Sequence, residues 1–204
     1  MKTIKFFTLL TLFITFISCD KEDDTPSLVA VESKAITNLK AEQTSDYTTN
    51  PPTISGDYIK FSFETGAATT TDNWDIAFRG STILVNGGEA TAEDQPERTG
   101  NAAVYITSGT LASVEEVTTA LLKTDSSVDG LAITTGSGNG WYNYDQSTHI
   151  ITPIAGKVLV VKTNNGKYAK LEILSYYKDA DTSSDSQHYT FNYIYQPNEG
   201  VTTF

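Results

Sequence analysis

Lys157-Val158-Leu159-Val160-Val161-Lys162-Thr163-Asn164-Asn165-Gly166-Lys167-Tyr168-Ala169-Lys170-Leu171-Glu172-Ile173 is the stretch that decides the fold. Two runs rich in branched and aromatic residues, Lys157 to Lys162 and Tyr168 to Tyr177, flank Asn164-Asn165-Gly166. Asn and Gly accept positive φ at little cost, so this is a β-hairpin. Downstream, Asp179 to Gln187 is polar and reads as a loop, and His188 to Tyr195 reads as a further strand. Upstream, Trp141 to Tyr144 is another strand candidate. Gly136-Ser137-Gly138-Asn139-Gly140 before it is a glycine turn; it lacks the Gly-Lys-Ser/Thr ending of a phosphate loop.

Further out the same period of two recurs. Tyr58, Lys60, Ser62 and Glu64 share one face, with Ile59, Phe61 and Phe63 on the other, the pattern of a half-buried strand. Trp74, Ile76 and Phe78 alternate in the same way. Thr82 to Val85, Ala102 to Thr107 and Ala35 to Leu39 are further short strands. Residues 86–101, around Pro96, read as a long exposed loop. Leu111, Val114, Val117 and Leu121 repeat at helical spacing, and Ser113 with Glu116 suggests a capping box, so a short helix is expected near 112–122. The expected fold is mainly β: one antiparallel domain over residues 36–204 with one short helix.

The chain has 204 residues, a net charge of -11 and a mean hydropathy of -0.25. Such a chain buries a core but offers no basic face for nucleic acid. Residues 1–18 form a signal peptide: Lys2 and Lys5, an apolar run from Phe6 to Ile17, then Ser18 before Cys19. That run is too short to span a membrane as a helix. A cysteine placed there resembles the lipobox of bacterial lipoproteins, although Phe16 departs from the usual aliphatic residue. A plain secretory peptide with a chance cysteine is the alternative. Residues 19–35 then read as an acidic flexible tether, and Asp20-Lys21-Glu22-Asp23-Asp24 resembles the export signal of surface lipoproteins in Bacteroidota.

Asn73-Trp74-Asp75-Ile76-Ala77-Phe78-Arg79, followed by Leu84-Val85-Asn86-Gly87-Gly88, resembles the N-W-D-[IM]-A segment of the HmuY family. Gly140-Trp141-Tyr142-Asn143-Tyr144 resembles that family's G-W-aromatic element, the Lys157–Ile173 hairpin its long hairpin, and Tyr189 to Tyr195 its closing strand. The resemblance implies a β-rich surface lipoprotein of the outer membrane. It would take haem b, free or from a haem–protein donor, and pass it to an outer-membrane receptor. It also implies two axial side chains, one shortly after the G-W element and one upstream. His149 stands eight residues after Trp141, but residues 111–139 contain no His, Met or Cys.

An axial haem ligand needs a lone pair, so His, Met, Cys thiolate and Tyr are the options. Met1 is the lone methionine and Cys19 the lone cysteine, which excludes a bis-methionine site in the mature chain. A bis-histidine site requires His149 and His188, with His149 the better ligand; tyrosine ligation would fall on Tyr142 or Tyr144. The tyrosines can instead pack across strands. Asp179, Asp181 and Asp185 lack EF-hand spacing and read as a solvated loop. Asp75 and Arg79 suggest a structural ion pair. No G-x-S-x-G or H-E-x-x-H motif is present, so a binding protein is expected rather than an enzyme. The alternative is a β-rich surface lipoprotein that binds a glycan or a protein without metal. Cys19→Ser is expected to abolish acyl incorporation and release the protein from membranes; unchanged membrane retention would refute lipidation at this residue.

Overall fold

The computed structural model describes residues 27–204. The signal peptide, Cys19 and the first part of the tether lie outside the described residues. The strands are β1 (Glu32–Lys40), β2 (Thr44–Asp46), β3 (Thr53–Ser55), β4 (Ile59–Ser62), β5 (Ala67–Thr69), β6 (Ile76–Arg79) and β7 (Thr82–Val85). They continue with β8 (Ala103–Ser108), β9 (Tyr142–Asp145), β10 (Ile150–Pro153), β11 (Lys157–Lys162), β12 (Tyr168–Tyr177) and β13 (Ser186–Gln196). One antiparallel sheet runs β1-β13-β12-β11-β8 and a second runs β5-β4-β6-β7; β2-β3 and β9-β10 are separate hairpins. The mainly β, antiparallel expectation is met. β11 and β12 coincide with the runs that flank Asn164-Asn165-Gly166, and Gly166 takes a φ of 79° there. β1 begins at Glu32, three residues before the expected start.

The two sheets face each other across the main core. Phe61, Phe63, Ile76, Phe78, Ile83 and Val85 of the smaller sheet meet Leu159, Val161, Leu171, Tyr189, Phe191 and Tyr193 of the larger one. Period-two alternation puts these residues on one face of each strand. Trp74 departs from its expected face. Strand geometry starts only at Ile76, so Trp74 packs with Ala77 and Leu84 on the far side of the smaller sheet.

Irregular chain covers both outer faces. Over the larger sheet, Leu111, Val114, Val117, Leu122 and Phe204 pack on Tyr105, Val158, Val160 and Tyr168. This segment is not the expected helix: within 112–122 there is one 3-10 turn, Thr119–Leu121. Its backbone is satisfied by other partners. Val117 N–H donates to Thr202 O (2.9 Å), Phe204 N–H to Glu115 O (3.0 Å) and Thr118 N–H to the Tyr105 hydroxyl (3.0 Å). Ser113 pairs back with Thr110 rather than with Glu116. Consecutive Val117, Thr118 and Thr119 are poor helix formers, so tertiary bonds win over the spacing of the apolar residues.

The 86–101 segment is exposed at its middle but anchored at both ends, a correction to the loop expected there. Asn86 is fully buried: its amide donates to Asp72 O and Trp74 O and its carbonyl accepts from the N–H groups of Thr99 and Gly100. Gly88 (φ 81°) passes so close to Asp125 O that a Cβ would sit 1.9 Å from it. Arg98 and Asp125 form an ion pair at 2.8 Å whose side chains are 1% and 0% exposed. Asp125 also accepts from the N–H groups of Val85 and Ala132, so the pair is closed by hydrogen bonds. Asp125→Ala strands a buried guanidinium and is expected to cost about 3–5 kcal/mol in urea unfolding; a loss below about 1 kcal/mol would show that Arg98 finds another partner.

Candidate functional site

The hairpin β9–β10 is seated by Trp141. This residue is 2% exposed, lies 5.2 Å ring to ring from Tyr189 and 5.7 Å from Tyr176, and donates its indole N–H to Ser81 O at 3.0 Å. The Tyr177 hydroxyl oxygen accepts from Ile151 N–H at 2.9 Å, which ties β10 to β12. The glycine turn 136–140 wraps the same hairpin. Gly138 N–H donates to Tyr142 O, and Tyr144 N–H donates to Ser137 Oγ at 2.8 Å. Gly140 allows this close passage, since a Cβ there would lie 2.2 Å from Thr134 O.

At the tip Asp145 Oδ1 accepts from Ser147 N–H (2.8 Å) and Ser147 Oγ (2.7 Å), which turns the chain. His149 adopts a φ of 59° and feeds into β10. The Tyr144 hydroxyl then meets His149 Nδ1 at 2.6 Å. Tyr144 is 39% exposed and His149 is exposed as well. A groove passes the glycine turn at Asn139: one lobe of about 250 Å³ is lined by Tyr105, Ile106, Leu121, Lys123, Ala132, Thr134 and Asn139. A second lobe of about 680 Å³ shares Lys123, Ala132 and Thr134 and adds Thr124, Ser126 and Asp129. The groove walls are mixed polar and apolar, and neither lobe is lined by Tyr144 or His149.

His188 lies elsewhere. It alternates with the buried Tyr189 and so faces away from the side on which Trp141 packs, with its Nδ1 2.8 Å from Ser186 O, in a polar niche with Lys40, Glu42 and Asp185. The structure does not bring His149 and His188 together. Most other tyrosines are committed to packing. Tyr189 donates to Gly80 O (2.9 Å) and Tyr193 to Phe63 O (3.3 Å), and burial pushes the phenol of Tyr189 well above its ordinary range. Tyr142, Tyr176, Tyr177 and Tyr195 are also buried, whereas Tyr47 is open on the small β2–β3 hairpin. Among the described residues, no three His, Cys, Asp or Glu side chains converge as a metal site. Asp179 instead pairs with Asn38, and Asp181 with Ser183.

The motif Asn73-Trp74-Asp75 is structural. Asp75 does not pair with Arg79, because its two carboxylate oxygens accept from Phe63 N–H (2.8 Å) and Asn164 N–H (2.7 Å). Burial raises its carboxyl above the usual range while those two donors pull it back. Arg79 pairs with Asp94 at 2.8 Å and lies 4.1 Å over the Tyr58 ring. Asn73 takes a hydrogen bond from Asn164, so the motif locks β6 onto the turn of the long hairpin.

A model described as HmuY protein matches residues 55–193, well over half of the chain. The chain belongs to the HmuY family. Several solved structures are similar to it. A lipoprotein candidate from Bacteroides fragilis is 14% identical, with 82% of this chain and 92% of that one covered and a TM-score of 0.48. The apo HmuY analog of Tannerella forsythia is 16% identical, with 85% and 100% covered and a TM-score of 0.44. A candidate HmuY-like heme-binding protein from Bacteroides vulgatus is 17% identical, with 82% and 93% covered and a TM-score of 0.40. No curated protein matches the sequence.

Within this HmuY-family fold the exposed Tyr144–His149 pair is separate from the groups that hold the chain together. Tyr144→Phe and His149→Asn, the latter chosen because Asn tolerates positive φ, are expected to shift stability by no more than about 0.5 kcal/mol in urea unfolding. Trp141→Ala is expected to cost about 3–5 kcal/mol in the same measurement. The opposite ranking would place the pair in the structural core.

Proposed function

We propose that this HmuY-family protein is a surface-anchored lipoprotein that binds haem at the β9–β10 hairpin and hands it to an outer-membrane uptake receptor. The observation that carries the proposal is the HmuY family model over residues 55–193, together with the exposed contact between Tyr144 and His149 at the hairpin tip. Among the described residues, Tyr144 and His149 are exposed and in mutual contact, and each carries an atom able to ligate a haem iron. Haem contributes a Lewis-acidic iron and two propionates. Tyr144 and His149 would face the iron. His188 is not assigned to this site. The lipid on Cys19 would hold the mature chain at the membrane through the acidic segment that follows it, without spanning it.

The family and the B. vulgatus structure described as heme binding support haem as the ligand class. A second ligand chemistry is favoured by a different feature. An open cleft of about 610 Å³ is lined by Tyr58, Lys60, Thr69, Thr70, Glu93 and Asp94. One aromatic face among hydroxyl and carboxylate groups suits a glycan. Titrating the purified protein with ferric haem is expected to give a saturable Soret change that the double variant Tyr144→Phe with His149→Asn weakens. A flat titration in both redox states, together with retention of a carbohydrate on an array, would replace the haem reading by the glycan one.

A further inference from the structure

We propose that the cleft between β4–β5 and residues 93–96 binds a sugar bearing a carboxylate, of the uronic-acid class, and that Asp94 occupies on Arg79 the position this carboxylate takes. The proposal rests on the glycan reading of the cleft given above. It stands apart from the haem reading, because none of the lining residues belongs to β9 or β10. The cleft holds about 610 Å³, within the range of small-ligand sites. Phe61 and Phe78 point into the core, so Lys60 of β4 and Arg79 of β6 lie on the outer face of the smaller sheet. Tyr58 packs on that same face beside Ala77 and Leu84.

Both arginines of the chain are buried near this face, with side chains 8% and 1% exposed, yet they are used differently. Arg98 is saturated: Nε and Nη2 donate to Asp125, Nη2 also to Gln95, and Nη1 to Pro96 O. Arg79 is not. Its Nη1 donates to Gly56 O at 3.3 Å and meets Asp94 Oδ2 at 2.8 Å, while its Nε, shut off from solvent, has no partner. A buried donor left open is costly and calls for an explanation. Asp94 supplies it. A loop-tethered carboxylate engages one nitrogen here, whereas a free carboxylate can take a guanidinium through two parallel N–H bonds. The Tyr58 ring, 4.1 Å from the guanidinium carbon, limits how the fork can turn. The Asp94 side chain is 46% exposed, so water is open to it when it leaves.

Charge decides for an acidic sugar over a neutral one. A ligand carboxylate that replaces Asp94 keeps Arg79 paired and returns Asp94 to water, so the exchange strands no buried charge. Lys60 adds a second cation on the same face; its partner Asp72, at 3.4 Å, is 80% exposed and as easily exchanged. Thr69, Thr70, Asp57 and Glu93 line the remainder, with hydroxyl and carboxylate oxygens suited to sugar hydroxyls.

Isothermal titration calorimetry compares a trimer of galacturonic acid with its methyl ester, which keeps the hydroxyls and loses the charge, on wild type, Asp94→Asn and Lys60→Gln. Wild type is expected to bind the acid at least about tenfold more tightly than the ester, an advantage that shrinks as salt is raised. Asp94→Asn should bind the acid at least about threefold more tightly than wild type does, because Arg79 is then free of its competitor, and the ester no differently. Lys60→Gln should weaken binding of the acid alone. Equal binding of acid and ester would overturn the carboxylate assignment and leave the glycan reading in place. Acid binding unchanged or weaker in an Asp94→Asn protein that unfolds at the wild-type temperature would overturn the role of Asp94. Should that variant fold poorly, the acid–ester difference in wild type and its loss in Lys60→Gln decide. Neither probe binding to wild type or to Asp94→Asn would instead remove the glycan reading beneath the proposal.

Discussion

The inward row of β13, Tyr189, Phe191, Tyr193 and Tyr195, is between 0% and 2% exposed, and the positions of the other layers follow from it. Phe191 meets Phe61 edge to face at 5.4 Å, Tyr193 meets Phe63 at 5.2 Å, and Tyr189 lies 4.7 Å from Phe78. Each such contact adds about 0.5–1.5 kcal/mol beyond the area it buries. Together they fix how far apart the sheets stand and which edge of one lies over which edge of the other. Tyr189 carries the consequence to the site, because the Trp141 that seats the β9–β10 hairpin packs on it. The position of Tyr144 and His149 is thus set by a ring row that begins at Tyr189, far later in the chain.

Both outer faces are roofed by chain without regular structure, and such chain has no ladder to satisfy its backbone. Buried polar side chains take over that task. Asn86 uses all its amide capacity on four backbone partners, Asp75 spans β4 and the turn after β11, and Asp125 joins β7 to the 132 region while pairing with Arg98. Lys170, 3% exposed on the opposite roof, donates to Val114 O and lies 4.4 Å from the Phe204 ring; desolvation lowers its ammonium. These groups would be costly if left alone. They contribute by making one arrangement of the roofs far better than any slipped one.

Much of this was legible from period two alone. β11, β12 and β13 were readable because their inward residues are large and their hairpin turn is chemically marked. The roof over the larger sheet was not, because Leu111, Val114, Val117 and Leu121 repeat as they would on a helix while extended chain pinned at Val117 and Phe204 uses the same residues. β2, β3 and β5 are three residues each, too short for a pattern. Trp74 misled because strand alternation was extended two residues before the strand begins. At the site, His149 was singled out, but its partner was not paired with it. That contact depends on β10, which Pro153 disguised. With β10 recognised, four residues between Asp145 and Ile150 define a tight hairpin, and Tyr144 and His149 fall at its mouth.

The same packing explains why a phenol with a side-chain partner is found at the β9–β10 tip. Each of the core phenols Tyr189 and Tyr193 has its hydroxyl aimed at a backbone carbonyl, that of Gly80 and of Phe63 respectively. Withdrawing it would expose an unpaired acceptor and open a cavity, so the ring row cannot double as a binding surface without loosening the fold. Tyr144 escapes this constraint because its outward turn costs no core contact and its hydroxyl has a side-chain partner rather than a backbone one. A side chain with these two properties can exchange its hydrogen-bond partner for a ligand while the sheets stay as they are. Stability is therefore carried by aromatic residues other than Tyr144, the phenol of the proposed site, with Trp141 as the joint between them.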